Sequence, residues 1–452
     1  MRKLAFILLL FVFSSGSVAF AQSSENAFTL LEAITYAYEN NYNVKIAKEN
    51  IADAEAQIIE RRSVGIPTLN GTVNFQHYLR VPVSVLPEQF EVFAIDPVTG
   101  MLPPDYSNQA TFVLRNSFNA GLDLNALIFD GSYFTALKAA KAFKEYVGQE
   151  LVSQERSVRD QVVAAYLPPL IVDENLKILQ KNITNLEGML NETKATYEAG
   201  FVEQLDVDRL ELSLANLRTE VDNLNRQKDL ALNYLKFTMG YPINESLSVA
   251  DNLENLLQFA TDEDLTAPVN YLNRPEYRVA QTGMKLNEFN IKVNKDGYLP
   301  SVTGFANYQY GYQGNSLFGK DGFWVPTSVV GLRVNVPIFD GWNKKAKIER
   351  AEIRMEVDRK RILLLEQSIQ LEVANARTEY LTAMERTQSQ EKNLTLAQKI
   401  FDTTQIKYSS GVGSSLEVTQ AEQALYQTQQ NFIQARYELL VSKQKLDTVL
   451  GK

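Results

Sequence analysis

The chain of 452 residues has no cysteine and a single histidine, His77. Without thiols there can be no disulfide framework, thiolate zinc site, iron–sulfur cluster or cysteine nucleophile. One histidine excludes a two- or three-histidine metal centre, and a Ser-His-Asp triad would have to be built on His77 alone. Positive charge is in the minority: 45 Lys+Arg against 54 Asp+Glu leave a net charge of −9, which argues against nucleic acid as a partner. No nucleophile with an adjacent base, no acid/base pair and no metal cluster stands out, so neither an enzyme nor a cofactor is expected. With 45% apolar and 22% charged residues, the chain is neither disordered nor a bundle of membrane helices.

What is present begins with an export signal. Arg2 and Lys3 precede an apolar run from Leu4 to Phe13, and Ala19-Phe20-Ala21 offers a cleavage site before Gln22. Residues 1–21 therefore read as a cleaved signal peptide, too short in their apolar core to anchor in a membrane. Loss of Arg2 and Lys3 takes the −9 chain to −11 over residues 22–452. No later run is apolar enough to span a bilayer as a helix, so membrane contact would have to come through strands.

The chain also repeats itself. Asn40 to Gly71 aligns without a gap on Asn273 to Gly304, an offset of 233. Ile128-Phe129-Asp130-Gly131 recurs as Ile338-Phe339-Asp340-Gly341 at offset 210. Tyr197-x-x-Gly200-x4-Leu205-Asp206-Val207 recurs as Tyr408-x-x-Gly411-x4-Leu416-Glu417-Val418 at offset 211, and the halves end alike at Gly240 and Gly451. Four blocks in one order indicate a tandem duplication, with repeats at 22–240 and 273–452 joined by a linker at 241–272. The change of offset places a 23-residue insertion in the first copy between Gly71 and Ile128. Its proline-rich part, Pro82 to Arg115, reads as a surface loop.

Each repeat holds two strand candidates. Leu69 to Arg80, Ser117 to Ile128, Val302 to Tyr312 and Val330 to Val336 alternate apolar with polar, the third least clearly. Pattern alone suits a half-buried soluble strand as well as a tilted membrane strand. The segments between them are helical: Leu30 to Arg62, Tyr133 to Ala199 and Trp342 to Ser409, the last two followed by Leu205 to Met239 and Leu416 to Leu450. The long helices would reach ~100 Å and the short ones ~50 Å. Short helices stacked end to end would match a long one, giving a helical cylinder. Pro168-Pro169 should interrupt the first long helix near its midpoint. In that context the strands read as membrane strands. Four cannot close a barrel, and open edges do not persist in lipid, so several copies must share one. That argument leaves two, three or more open.

The duplicated halves, the Ile-Phe-Asp-Gly strand exits and the Tyr-x-x-Gly-x4-Leu-[Asp/Glu]-Val turns resemble the TolC family of outer-membrane efflux proteins over nearly all of residues 27–452. The resemblance implies a mainly α fold with a membrane β-barrel: a homotrimer with a 12-stranded barrel in outer membrane lipid, continuous with a periplasmic α-helical barrel. It further implies a channel for efflux or type I secretion, docked to a periplasmic adaptor (membrane fusion) protein and an inner-membrane RND or ABC transporter. By the same resemblance, Gly200, Gly411 and Gly413 lie in tip turns that dock the adaptor. Asp206, Glu417, Tyr408 and Tyr197 would line the periplasmic entrance, with Asp206 and Tyr408 in an inter-helix polar latch. Phe129, Asp130, Gly131, Pro337, Phe339, Asp340 and Gly341 would form the strand-to-helix exits.

Departures are visible. Gly413 stands where the family's latch has an arginine, Gln420 where its acidic ring has a second carboxylate, and Leu127 where the second exit has Pro337. Asp206 and Glu417 could equally be simple caps of the helices they begin. Gly411-Val412-Gly413 is a turn rather than a phosphate loop, since no strand precedes it and no lysine follows. Trp342 and Tyr308 to Tyr312 are expected as interfacial girdle residues and His77 in the barrel wall or at its rim. A soluble periplasmic coiled-coil scaffold remains the alternative.

Overall fold

The computed structural model describes residues 26–85, 109–258 and 268–451. The signal segment, most of the 82–115 loop and part of the 241–272 linker lie outside the described residues. Two compact units emerge. One holds residues up to Ala47, Leu151–Pro275 and Glu366–Lys452; the other holds Lys48–Glu150 and Glu276–Leu365. Each sequence repeat contributes to both.

The second unit is organised by an antiparallel sheet of four strands: β2 (Thr68–His77), β5 (Asn116–Asp130), β7 (Ser301–Gly314) and β8 (Phe323–Asn335), in the order β2-β5-β7-β8. The central pair, β5 with β7, joins the two repeats. Register sorts the side chains by face, because partners directly opposite one another point the same way. Leu69, Val73 and Phe75 align with Leu124, Ala120 and Phe118, and these in turn with Ala306, Tyr310 and Tyr312. Val330, Pro326 and Trp324 complete the rows. The opposite face carries Asn70, Thr72 and Asn74 beside Asp123, Gly121 and Asn119, and there Asn307 Nδ2 and Thr72 Oγ1 both donate to the Asp123 carboxylate. One face is apolar and the other polar, and among the described residues both edge strands, β2 and β8, lack a neighbour on one side. Every residue of β2 is exposed.

The weakest strand by pattern, Val302 to Tyr312, becomes 14 residues long and sits inside the sheet. Tyr308 and Tyr310 are exposed as a girdle requires, but Tyr312 is only 1% accessible. Its ring packs on Phe318 and Trp324, and its hydroxyl donates to the Ser316 carbonyl at 2.8 Å, plugging the β7–β8 turn. Phe118, Tyr310 and Trp324 cluster beside it. His77 ends β2, its Nδ1 2.7 Å from the Asn116 side-chain oxygen. Two short strands, β3 (Ser84–Val85) and β4 (Gln109–Ala110), pair antiparallel at the base of the 82–115 loop.

The expected helix Leu30 to Arg62 is two helices, α1 (Leu30–Asn40) and α2 (Tyr42–Ser63). Asn41, buried and in extended backbone, breaks them: its side-chain oxygen accepts from the Asn43 and Val44 N–H groups and starts α2. Pro168 and Pro169 do the reverse. Helix α3 (Gly131–Glu198) runs through both without interruption. The missing N–H donors are offset by a surrounding core of Val162, Val163, Tyr166, Leu167 and Leu170. That core also anchors β1 (Asn26–Phe28), which pairs parallel with β6 (Leu247–Val249). Tyr166 donates to the Phe28 carbonyl at 2.7 Å and lies 3.0 Å from the Asp251 carboxylate; burial raises its pKa. The remaining helices are α4 (Gln204–Met239), α5 (Leu253–Gln258), α6 (Pro275–Asp296), α7 (Asn343–Ser409) and α8 (Ser415–Leu450). Among the described residues no helix is long and apolar enough to cross a membrane.

The common endings Gly240 and Gly451 turn out to be matched junctions. Both adopt left-handed backbone, with φ of 73° and 81°. Gly240 closes α4 against Asn40, and Gly451 closes α8 against Asn273, the repeat equivalent of Asn40. Asn41 Nδ2 donates to the Thr238 carbonyl at 2.7 Å, and Arg274 donates to the Val449 carbonyl at 2.8 Å. Asn41 and Arg274 are equivalent, as are Thr238 and Val449, so two chemically different residues satisfy the same helix-end carbonyl. Each return helix thus ends on the start of a helix leading to the strands, α2 or α6.

Candidate functional site

The two turns at Gly200 and Gly411 share one backbone design. Gly200 and Gly411 have φ of 82° and 74°, as left-handed helix terminators. Phe201 N–H donates to Thr196 O at 3.0 Å, and its counterpart Val412 N–H donates to Lys407 O at 3.0 Å. The conformation fixes the residue after each glycine outward: Phe201 is 82% and Val412 83% exposed.

The turns also meet through side chains. Ser415 Oγ, at the start of α8, donates to Asp206 Oδ1 in the first turn of α4. Arg209 lies 3.5 Å from Ser415 Oγ and 4.0 Å from Asp206. Asp206 Oδ2 accepts from the Glu203 N–H at 3.3 Å, so it caps its own helix while bridging to the other repeat. Tyr408 shares a 2.9 Å hydrogen bond with Thr193 on α3. A cavity of about 570 Å³ opens among Thr193, Phe201, Asp206, Tyr408, Gly413 and Ser415.

Of the sequence-selected residues, Asp206, Tyr408, Gly411 and Gly413 come together there; Tyr197 and Glu417 do not line the cavity. Glu417 is exposed, and its N–H donates to the Ser414 side chain, which caps α8. Thr193, Ser415 and Arg209 were not singled out by sequence. Arg209 had one available signal, its i,i+3 spacing from Asp206 on a helix. A Cβ on Gly413 would come within 3.1 Å of the Tyr408 backbone nitrogen; with glycine there, the guanidinium beside Asp206 comes from α4.

The strand exits are structural caps of two kinds. In the first, β5 runs into α3, with a register irregularity between Leu127 and Phe129. The Asp130 carboxylate accepts from the N–H groups of Ser132 at 2.8 Å and Tyr133 at 3.1 Å. Gly131 is closely approached: a Cβ would stand 2.5 Å from the end of the Leu299 side chain and 3.2 Å from the Asp296 carbonyl oxygen. In the second, β8 stops at Asn335, two residues before Pro337, which has no N–H to donate. Gly341 and Trp342 then take left-handed backbone before α7, whose Lys344 N–H donates to Asp340 at 3.0 Å. Phe339 packs edge-on against the exposed Trp342.

The family described as outer membrane efflux protein matches residues 33–241 and 271–452. The chain is similar to the pyoverdine export outer membrane protein OpmQ of Pseudomonas aeruginosa, 26% identical over 351 residues, 74% of this chain and 70% of OpmQ. It is also similar to the outer membrane efflux protein BepC of Brucella suis, 20% identical over 447 residues, 98% of this chain and 89% of BepC. Among solved structures, CusC superposes with a TM-score of 0.71 at 18% identity, covering 96% of this chain and 95% of CusC. The Campylobacter jejuni CmeC outer membrane channel gives 0.70 at 15% identity, covering 100% and 94%. At such identities the structures speak for the fold, and the fold is that of outer membrane channels. The chain belongs to the outer membrane efflux protein family.

Proposed function

We propose that this chain is the outer-membrane duct of a tripartite efflux or type I secretion system, assembled as a homotrimer. The observation that carries this reading is the sheet. Among the described residues it is four-stranded, apolar on one face, polar on the other, and open at both edges. Such edges are untenable in lipid, and three copies would close them into 12 strands with the apolar face toward lipid and the polar face toward water. The organisation into repeats at 22–240 and 273–452 about a linker at 241–272 supplies the four strands. Phe201 and Val412, apolar and outward at the tip turns, suit docking of a periplasmic adaptor that leads to an inner-membrane RND or ABC transporter. The soluble scaffold has no use for an apolar sheet face. Detergent-extracted protein is expected at three times the protomer mass by light scattering, and it should conduct in planar bilayers. A conducting monomer would overturn the shared barrel.

The two tip carboxylates divide the work in this reading. Glu417 is exposed, whereas Asp206 is engaged by Ser415 with Arg209 close by. Glu417 therefore supplies the entrance charge, and Asp206 holds the two turns together. Glu417→Gln should reduce cation preference and block by trivalent cations under an asymmetric salt gradient, with little change in melting temperature. Asp206→Asn should leave selectivity close to wild type and cost about 1 kcal/mol of stability. If neither substitution moves selectivity, both carboxylates are caps and the entrance charge lies elsewhere.

A further inference from the structure

Between α3, α4 and α8, away from the tip cavity, lies a second cavity of about 250 Å³. Its wall is built from Glu422, Gln423 and Tyr426 on α8, Ser213, Asn216 and Glu220 on α4, with Leu217 and Asn182 completing it. Among the described residues no lysine or arginine lines it. Glu422 is 9% exposed and has no hydrogen-bond or ion-pair partner among the described residues. A carboxylate buried without a counter-ion is costly, and it is sustained where something else neutralises it. Glu220 faces the same space from α4; burial raises the pKa of Tyr426, and the Glu220 charge adds to that. Gln430 donates to the Tyr426 hydroxyl at 2.6 Å and fixes the phenol ring against the cavity.

The chemistry of the wall selects its ligand. Two carboxyl groups, amide and hydroxyl oxygens, and an aromatic face make a receptor for positive charge. A bare metal ion fits poorly, because among the described residues no three Asp, Glu, His or Cys side chains converge. The volume also far exceeds that of one ion held by oxygens at ~2.0–2.6 Å. An ammonium group on a small organic skeleton uses all of it: the charge meets Glu422 and Glu220, and the carbon skeleton meets Leu217 and the Tyr426 ring. We propose that this cavity binds a small organic ammonium ion, with Glu422 as the buried counter-ion and Glu220 and Tyr426 completing the recognition.

Binding is coupled to a proton. In the empty site, burial pushes the Glu422 carboxyl up to about 7. The titratable groups facing it are Glu220 from α4 and Tyr426 from α8, while α3 presents the uncharged Asn182. An ammonium ligand needs Glu422 ionised, so binding below that pH expels one proton and weakens by up to about tenfold per pH unit.

The site belongs to a single chain, so its test is independent of the duct reading. Full-length protein in detergent is titrated calorimetrically with phenethylammonium chloride, with 2-phenylethanol as the uncharged control for partition into micelles. Saturable binding of one ammonium per chain is expected, at least about tenfold tighter than the alcohol. At pH 6 the heat should depend on the ionisation enthalpy of the buffer, and at pH 8.5 it should not. Glu422→Gln, close in volume to the original side chain, should weaken binding at least about tenfold and abolish the proton release. Should that variant fail to fold, Glu220→Gln tests the same site at a half-buried position, where a several-fold loss is expected. Absence of saturable binding, equal binding of the alcohol, or affinity unchanged by the substitution that folds would overturn the proposal.

Discussion

Gly240→Val should destabilise the protein by on the order of 3 kcal/mol or more, and Gly451→Val should do likewise, although each replaces one small residue at a helix end. Two costs add. Both glycines hold left-handed backbone, which a β-branched residue adopts with difficulty. Both also sit against another segment: a Cβ on Gly240 would stand 2.5 Å from the Asn40 carbonyl oxygen, and one on Gly451 would stand 2.7 Å from Asn273 Cβ. The obstacle at Gly240 is backbone and cannot rotate away. Nor can the segment retreat cheaply, because Asn41 is tied to the Thr238 carbonyl and helps to start α2. The glycines of the two inter-helix turns provide the control. Gly200 and Gly411 have the same left-handed conformation, but a Cβ on either would meet nothing within 4 Å. Gly200→Ala and Gly411→Ala should therefore cost only the conformational part, about 1 kcal/mol. Thermal unfolding followed by circular dichroism separates the pairs. A Gly240→Val protein that melts with the wild type would mean that the two helices do not abut.

That contrast shows what sequence could and could not carry. Motif spacing located all four glycines, because a tandem copy marks positions independently of what they touch. It could not say that two of them face open space and two face a chain segment some 200 residues distant. The strands were legible for a related reason. Alternation is a local signal, and the register of β2, β5, β7 and β8 preserves it as two faces. Tyr312 escaped because its partners Phe318 and Trp324 belong to the turn and to the next strand, so the same periodicity that exposes Tyr308 buries it. Asn41 and Pro168-Pro169 failed in opposite directions. An asparagine of middling helix propensity breaks a helix because its side chain is needed by its neighbours, whereas two prolines remain inside α3 because the surrounding core holds it. At the two inter-helix turns, Asp206 and Tyr408 carried a motif, but Ser415, Arg209 and Thr193 matter only through proximity across repeats. Arg274 shows the limit most clearly. It performs the task of Asn41 at the equivalent position with an unrelated side chain, so residue identity gave no hint.

Glu422→Gln should make the amine-free protein more stable at pH 8 by up to about 3 kcal/mol, while leaving it nearly unchanged at pH 4. The buried carboxyl is shifted from the ordinary 4.5 up to about 7, and desolvation is the cause. The folded state consequently binds this proton more tightly than the unfolded state does. Below about pH 4.5 the group is protonated in both states and no penalty exists. As pH rises from there the unfolded chain ionises first, and the folded state loses stability until its own carboxyl ionises near pH 7. Above that the loss is complete and constant. A glutamine keeps the shape and cannot ionise, so the stability difference between variant and wild type should grow across this window and level off above it. Nothing else in the cavity wall offsets the charge, since Glu220 is an acid and Asn182, Asn216 and Gln423 are neutral. Unfolding midpoints of both proteins, measured between pH 4 and pH 8.5 without added amine, give the comparison. Curves that run parallel across the range would show that Glu422 is solvated in the folded protein, and would remove the buried counter-ion on which the ammonium site depends.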